Sequence, residues 1–133
     1  MGESGPGVTE FVVPIRVRYV ECDPMNVAHH SVYPVWMELG RTELLRAQGA
    51  VYRECEERGI YFVVARMNIR YRRPIRYDDE IEVHVVGLPC AGVKVEHTYA
   101  IRRDGELMAS AETTLVCVTD QGKPVPVPEG LVP

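Results

Sequence analysis

The spacing of the apolar residues changes its period along the chain, and this pattern limits the possible folds more than any other feature. Residues 33–48 place apolar side chains at steps of three and four, which predicts one long helix. Other segments alternate apolar and polar side chains, which predicts β-strands. The predicted strands are residues 11–21, 61–72, 80–86, 93–102 and 106–118, and a shorter amphipathic segment spans 50–58.

This order predicts an α+β fold in which the helix lies on one face of an antiparallel sheet. Asp104-Gly105 separates the last two strands and is a strong hairpin signal. Strands joined by tight turns pair antiparallel, and their one-sided alternation fits a sheet with one covered face. Gly40 lies in the middle of the predicted helix, where glycine costs about 1 kcal/mol relative to alanine. We interpret this glycine as the point where the helix backbone approaches a curved sheet closely.

The pattern also predicts which faces are buried. In the strand 61–72 the odd-numbered positions form the dry face, and the even-numbered positions are polar from Arg66 onward. On the helix, Glu38, Arg41 and Arg46 fall outside the packing face. The packing face comprises Trp36, Leu39, Gly40, Leu44 and Ala47.

Length and composition indicate a single globular domain over residues 1–133. The N-terminal segment 1–10 is rich in glycine, and the tail 121–133 is rich in proline, so both are expected to be extended. The net charge of −4 argues against broad electrostatic binding to nucleic acid or to an anionic membrane.

The sequence also bears on location. No apolar run approaches the roughly 20 residues that span a bilayer, and the N-terminus lacks a basic region followed by an apolar one. We therefore expect a cytoplasmic protein. The four cysteines are widely spaced without a C-x-x-C pair, and they are expected to be free thiols.

Residues 19–33, YVECDPMNVAHHSVY, combine an acidic residue, two adjacent histidines and the predicted start of the long helix. Asp23 precedes Pro24, which disfavours the α region, so we expect Asp23 to be extended at the end of its strand. The first N–H groups of a helix lack backbone partners and carry partial positive charge. A carboxylate beside such groups suits acyl transfer, because the N–H groups hold the developing oxyanion while the carboxylate supplies the attack.

Two other interpretations of this stretch remain open. Asp23 can instead be a turn residue that only hydrogen-bonds its own loop. Cys22, Asp23, His29 and His30 are metal-ligand types, but their spacing matches no established zinc pattern. Alternation along a strand would also place Cys22 and Asp23 on opposite faces. We therefore expect no metal site here.

The stretch RVRYVECDPMNVAHHSVYPVWMELGRTELLRAQG, residues 16–49, resembles the hotdog-fold acyl-CoA thioesterases, in particular the 4-hydroxybenzoyl-CoA thioesterase family. Residues 69–85 and 104–128 resemble later strands and the tail of that family, so the similarity covers nearly the whole chain. Many relatives have glycine where Asn26 stands, and asparagine tolerates the left-handed conformation at modest cost. The matching positions of the first stretch are Tyr19, Glu21, Asp23, Met25, Val27, His30, Tyr33, Trp36, Glu38 and 41–46.

The resemblance implies a hotdog fold, with one long helix on a curved five-stranded antiparallel sheet, and hydrolysis of an acyl-CoA to free acid and coenzyme A. It implies that Asp23 is the nucleophile or the general base and that the backbone N–H of His30 polarises the thioester carbonyl. It also implies a homodimer or homotetramer with the site between subunits, and no cofactor beyond the coenzyme A of the substrate. Alongside it, the predicted substrate-binding residues are Ser31, Tyr33, Arg72, Arg73 and Lys94.

Two other functions fit the same sequence. The first is a hotdog dehydratase or isomerase that uses Glu38 as its acid or base. The second is an acyl-CoA-binding module without catalysis.

Overall fold

The computed structural model describes residues 9–49, 52–90 and 92–128, so the first eight and the last five residues of the two predicted terminal segments lie outside it. Two helices are present, α1 (Tyr33–Ala47) and α2 (Tyr52–Glu57). Short 3-10 turns at Tyr19–Glu21 and His30–Val32 precede α1. The strands are β1 (Glu10–Arg16), β2 (Tyr61–Tyr71), β3 (Glu80–Gly87), β4 (Lys94–Arg103) and β5 (Glu106–Val118).

The five strands form one antiparallel sheet in the order β1-β3-β4-β5-β2. The tight turn at Asp104-Gly105 joins β4 to β5, as the hairpin signal predicted. The pairs β1–β3 and β2–β5 join strands that are distant in sequence, and they leave β1 and β2 as the two edges. The predicted α+β architecture of one long helix on a five-stranded antiparallel sheet is confirmed.

Helix α1 approaches the sheet closely at Gly40, the position predicted from the sequence. A Cβ on Gly40 would lie 3.3 Å from Val83 Cγ1 and 3.5 Å from Val85 Cβ, so there is little room for a side chain. Trp36 and Leu44 on the same face are fully buried. The interpretation of Gly40 is confirmed, because the helix backbone there closely approaches the Val83 and Val85 side chains of the sheet.

Two residues of α1 do not lie where the periodicity placed them. Leu39 is 44% exposed, although it was expected on the packing face, and Arg41 is only 5% exposed, although it was expected outside. The Arg41 Nη1 donates a hydrogen bond of 3.1 Å to the Tyr99 hydroxyl, which is 2.7 Å from Thr113 Oγ1. The sheet beneath α1 therefore supplies polar partners for a buried guanidinium, and a purely apolar packing face was the wrong expectation.

Strand β2 also departs from its predicted faces. The register with β5 shifts between Val64 and Arg66, which is the signature of a β-bulge at Ala65. One extra residue exchanges the faces, because side chains alternate along a strand. Val64 therefore lies on the same face as Met67, and the prediction of one continuous face of odd-numbered residues was wrong.

The described part of the tail turns at residues 120–122 and then runs beside the end of β5. Thr119 N–H donates to Lys123 O and Val125 N–H to Cys117 O, so residues 119–125 fold back along the end of β5. Pro124 bridges Val118 in an isolated β-pair. None of the described helices has the length and apolar character needed to cross a bilayer.

Candidate active site

The connection between β1 and α1 is held to the core by a buried glutamate. Strand β1 ends at Arg16, and the chain then turns through Tyr19–Glu21 instead of continuing as a strand to residue 21. Glu21 is 6% exposed, and its carboxylate accepts hydrogen bonds from the Arg18 N–H at 2.8 Å and from Trp36 Nε1 at 3.2 Å. Since Trp36 belongs to α1, Glu21 ties the connection to the helix. Glu21 is one of the positions at which the sequence resembles the thioesterase family, but no role was predicted for it.

Asp23 begins a tight loop that returns at Val27. Asp23 Oδ1 accepts hydrogen bonds from the N–H groups of Met25 at 2.9 Å and Val27 at 3.2 Å, while Asn26 takes the left-handed conformation with φ of 62°. The carboxylate is half-buried, and no described group donates to Oδ2. The expectation that Asp23 ends strand β1 was wrong. The loop nevertheless holds one carboxylate oxygen in a fixed direction and leaves the other without a described donor.

His29 caps the turn that leads into the long helix. Its Nδ1 accepts a hydrogen bond from the Ser31 N–H at 3.2 Å and lies 2.7 Å from Ser31 Oγ. The Ser31 amide is therefore engaged within the loop, whereas no described group accepts a hydrogen bond from the His30 N–H. The usual capping residues are Ser, Thr, Asp and Asn, so a histidine at this position carries no capping signal in the sequence.

A cavity of about 230 Å³ lies beside the start of α1. Tyr71 closes one side of it, donating a hydrogen bond from its hydroxyl to the His30 carbonyl oxygen at 3.1 Å and contacting the Tyr33 ring edge-on at 4.8 Å. Burial raises the pKa of Tyr33 to about 12, so its hydroxyl stays protonated at neutral pH and remains a donor. The cavity is lined by Val27, Ala28, His30, Tyr33, Tyr71, Arg72, Arg73 and Pro74.

Four of the predicted site residues line this one cavity: His30, Tyr33, Arg72 and Arg73. Asp23 does not line it within a single chain, although its loop partner Val27 does. Tyr71 also lines the cavity, although it was not among the predicted site residues. Tyr71 ends β2 and directly precedes Arg72-Arg73, so its position in the sequence could have indicated that it lies near these predicted residues.

The predicted cationic residues are not all at this cavity. Arg73 Nε is 2.5 Å from Glu106, and the exposed Arg72 has no carboxylate within ion-pair distance among the described residues. Lys94 starts β4, whereas Arg103 near the Arg73–Glu106 pair ends it. Ten residues of strand separate the two ends by about 30 Å. Within one chain, Lys94 therefore does not join the other predicted substrate-binding residues.

Glu38 lines a second cavity, of about 280 Å³, between α1 and the inner face of β2 and β5. Arg41, Phe62, Val64 and Leu115 share this cavity. Glu38 itself is exposed on the helix surface. The alternative acid or base thus lies more than one helical turn beyond Tyr33.

The described residues contain no group of three or more His, Cys, Asp or Glu side chains that could hold a metal ion. Of the four ligand types noted in the sequence, His29 is engaged with Ser31 and Asp23 with its own loop. The four described cysteines, Cys22, Cys55, Cys90 and Cys117, are free thiols, as predicted.

The arrangement of one long helix on a five-stranded antiparallel sheet is shared with known proteins. Residues 17–132 match the family described as the Thioesterase-like superfamily. The chain belongs to this superfamily. It is a thioester hydrolase with a hotdog fold.

Curated and solved relatives of this superfamily member cover most of its length. YneP of Bacillus subtilis (strain 168), provisionally named an acyl-CoA thioesterase, is 36% identical over 113 residues, or 84% of this chain and 82% of YneP. The DHNA-CoA thioesterase from Staphylococcus aureus superposes with a TM-score of 0.85 at 28% identity, covering 88% of this chain and 80% of that one.

A thioesterase from Thermus thermophilus, solved in complex with coenzyme A and Zn, is 30% identical with a TM-score of 0.78. The match covers 90% of this chain and 86% of that one. The predicted membership among hotdog thioesterases is therefore confirmed. The finer assignment to the 4-hydroxybenzoyl-CoA thioesterase family stays a prediction.

Proposed function

We propose that this thioester hydrolase cleaves an acyl-CoA to the free acid and coenzyme A in the cavity beside His30. The supporting observation is that cavity, since a helix start, a protonated tyrosine and two arginines line one space of about 230 Å³. YneP is provisionally named an acyl-CoA thioesterase, and the Thermus thermophilus relative was solved with coenzyme A, which supports the same substrate class.

In this proposal the His30 N–H donates a hydrogen bond to the thioester carbonyl oxygen. The carbonyl oxygen gains negative charge as the tetrahedral intermediate forms, and a preorganised donor in a sheltered site stabilises that charge. The His30 N–H suits this role better than the Ser31 N–H, because His29 already accepts a hydrogen bond from Ser31. Ser31 then acts indirectly, by keeping His29 in place as the cap of the turn.

Asp23 supplies the attack, either as the nucleophile or as the base for a water molecule. Its Oδ1 is held by two loop N–H groups, so Oδ2 is the oxygen that faces the chemistry. Thiolate is a good leaving group, so a thioester does not require a strong general acid or a Ser-His-Asp triad. Asp23 lies outside the single-chain cavity, and a second subunit is therefore part of the proposal.

The second subunit is another copy of this chain, packed along β2. This strand is a sheet edge with unpaired backbone groups, which is a template for further strand pairing. Its inner-face residues Val64 and Met67 are 47% and 37% exposed, and Val35 and Leu39 on the adjoining side of α1 are 49% and 44% exposed. A partner covering these side chains closes the space between the Asp23 loop and the start of α1. We propose a homodimer, or a tetramer of two such dimers.

The test is a panel of acetyl-, medium-chain, long-chain and aromatic acyl-CoAs, with thiol release followed for the wild type, Asp23→Asn and Glu38→Gln. Asp23→Asn preserves the shape and the loop acceptor but removes the charge, so we expect a fall in kcat of at least about 100-fold, in the range of general-base catalysis. We expect Glu38→Gln to retain activity. If Glu38→Gln is inactive and Asp23→Asn is not, Glu38 carries the chemistry, and binding without thiol release would identify a non-catalytic module.

A further inference from the structure

The most exposed large apolar side chains of the described residues are concentrated on the loop that carries Asp23. Val20 is 79% exposed, Met25 is 78% exposed and Tyr19 is 77% exposed, whereas no other large apolar side chain in the described part of the chain exceeds 50%. Single exposed apolar residues are ordinary on protein surfaces, but a group of them beside a ligand-sized cavity indicates an interaction site. This loop therefore presents more apolar surface than the fold requires.

Tyr19 does not stand alone in this group. Its ring contacts Tyr77 edge-to-face, with centroids 5.6 Å apart and planes at 87°, and Tyr77 is itself 48% exposed. In an edge-to-face pair the two rings meet at the edge of one, so each ring keeps at least one face that the other does not cover. Because Tyr19 is 77% exposed, the open area is large enough for a flat aromatic ligand to stack on it.

The aromatic pair is continuous with the cavity at the helix start. Residues 72–79 run beside residues 17–28, with Val17 N–H bonded to Asp79 O and Val27 bridged to Arg76. Pro74 lines the cavity and precedes Tyr77 by three residues, which span at most about 11 Å. A ligand whose reactive end lies at His30 can thus reach the aromatic pair along a single rim.

Among the described residues, two arginines of this rim lack a carboxylate partner, whereas Asp78 and Asp79 each have a cationic one. Asp78 pairs with Arg16 and Asp79 pairs with Arg103, so both carboxylates are engaged. Arg72 and Arg76 are exposed, and among the described residues neither guanidinium has a carboxylate within ion-pair distance. Guanidinium groups bind phosphate by paired hydrogen bonds, so this rim is complementary to a phosphorylated ligand.

We propose that Tyr19, Tyr77, Arg76 and Arg72 form the site for the nucleotide end of coenzyme A. The adenine ring stacks on the open face of Tyr19, which Tyr77 supports, and the phosphates meet Arg76 and Arg72. The pantetheine arm then runs past Pro74 to the thioester at His30. This inference rests on the proposed acyl-CoA substrate, and it adds the residues that recognise the part of the substrate remote from the reaction.

The test compares each acyl-CoA that the enzyme hydrolyses with the acyl-pantetheine of the same acyl group, which has the same thioester but no nucleotide. We expect Tyr19→Ala and Arg76→Ala each to raise KM for the acyl-CoA about ten-fold, the order expected from loss of one base–aromatic or charged phosphate contact. KM and kcat for the acyl-pantetheine should not change. Tyr19→Phe keeps the ring and should recover most of the affinity lost in Tyr19→Ala.

Leu88→Ala is the matched control, because Leu88 is an exposed apolar residue after β3 and its removal should change neither substrate's kinetics. If Tyr19→Ala impairs both substrates equally, the residue only shapes the Asp23 loop and the proposal is wrong. If Tyr19→Ala instead changes the subunit number measured by light scattering, the patch is covered by a second copy, which also overturns the proposal.

Direct binding separates this inference from the proposed activity. Calorimetry with coenzyme A itself needs no turnover, and we expect Tyr19→Ala and Arg76→Ala to weaken its binding about ten-fold relative to wild type. A protein that hydrolyses no acyl-CoA but shows this loss refutes the proposed function while retaining the nucleotide site. Unchanged coenzyme A binding in both variants refutes the site even where hydrolysis is observed.

Discussion

His97 makes the stability of this fold depend on pH in a way that can be measured. It lies on β4 under α1, is 6% exposed, and its Nδ1 has no hydrogen-bond partner among the described residues. Burial, with a smaller contribution from the nearby Arg41 guanidinium, lowers the pKa of His97 from 6.5 to about 4. A second positive charge beside buried Arg41 is unfavourable, so the folded protein keeps His97 neutral.

The direction of this pH dependence follows from how many protons the folded and the unfolded chain bind at His97. Between pH 6.5 and pH 4 the unfolded chain binds a proton at this position and the folded chain does not, so stability falls as the pH falls. Below pH 4 both states bind it and the loss is complete. With pKa values of 6.5 unfolded and about 4 folded, the free energy of unfolding drops by roughly 2–3 kcal/mol between pH 7.5 and pH 4.5.

The assay is urea denaturation of the wild type and His97→Gln at several pH values and one protein concentration, because the stability of a self-associating protein depends on concentration. Carboxylates titrate in both proteins, so the difference between the two unfolding free energies isolates His97. We expect the difference to shift by roughly 2–3 kcal/mol in favour of His97→Gln on going from pH 7.5 to pH 4.5. His84→Gln, at a half-buried histidine that pairs with Glu10 on the edge strand β1, is the control and should not reproduce this shift. A shift below about 0.5 kcal/mol would refute the reasoning.

Three further substitutions test the packing around the site. Gly40→Leu should lower the urea midpoint by the equivalent of about 3 kcal/mol or more, because even a Cβ at this position would lie 3.3 Å from Val83 Cγ1. An unchanged midpoint would show that α1 can move away from the sheet. Glu21→Gln should cost about 1–3 kcal/mol and alter the fluorescence of Trp36, since its carboxylate accepts that indole N–H, and an unaltered spectrum would contradict this contact. Asn26→Val should cost about 1–2 kcal/mol because φ is 62°, whereas Asn26→Gly should be close to neutral, and equal melting temperatures for both would exclude the left-handed conformation.

Local sequence patterns predicted the elements closely. The predicted helix at 33–48 is Tyr33–Ala47, and the predicted strands 61–72 and 106–118 are Tyr61–Tyr71 and Glu106–Val118. Asn26 adopts the left-handed conformation that was expected at this position, with φ of 62°. These features follow from residues close together in the chain, so periodicity and turn chemistry are sufficient to find them.

The residues that line the cavity at the helix start were predicted in part for the same reason. The start of a helix is a local feature, and so His30 and Tyr33 were found, and the strand end supplied Arg72-Arg73. Resemblance selected Asp23, but the direction of its carboxylate depends on hydrogen bonds to Met25 and Val27 in a loop pinned against Arg76. The spacing of residues within this stretch does not indicate a contact with a residue as distant in the chain as Arg76.

The sequence by itself determined one long helix, five strands, the glycine where helix and sheet touch, and the chemical groups that gather at the helix start. Only the tertiary structure decided that β2 pairs with β5 through a bulge, that Arg41 and His97 are buried, and that Tyr71 closes the cavity. The reason is physical: hydrophobic periodicity reports which side of an element avoids water, whereas these outcomes depend on contacts between residues far apart in the chain. Which strand or helix each element packs against is determined only when the sheet has formed.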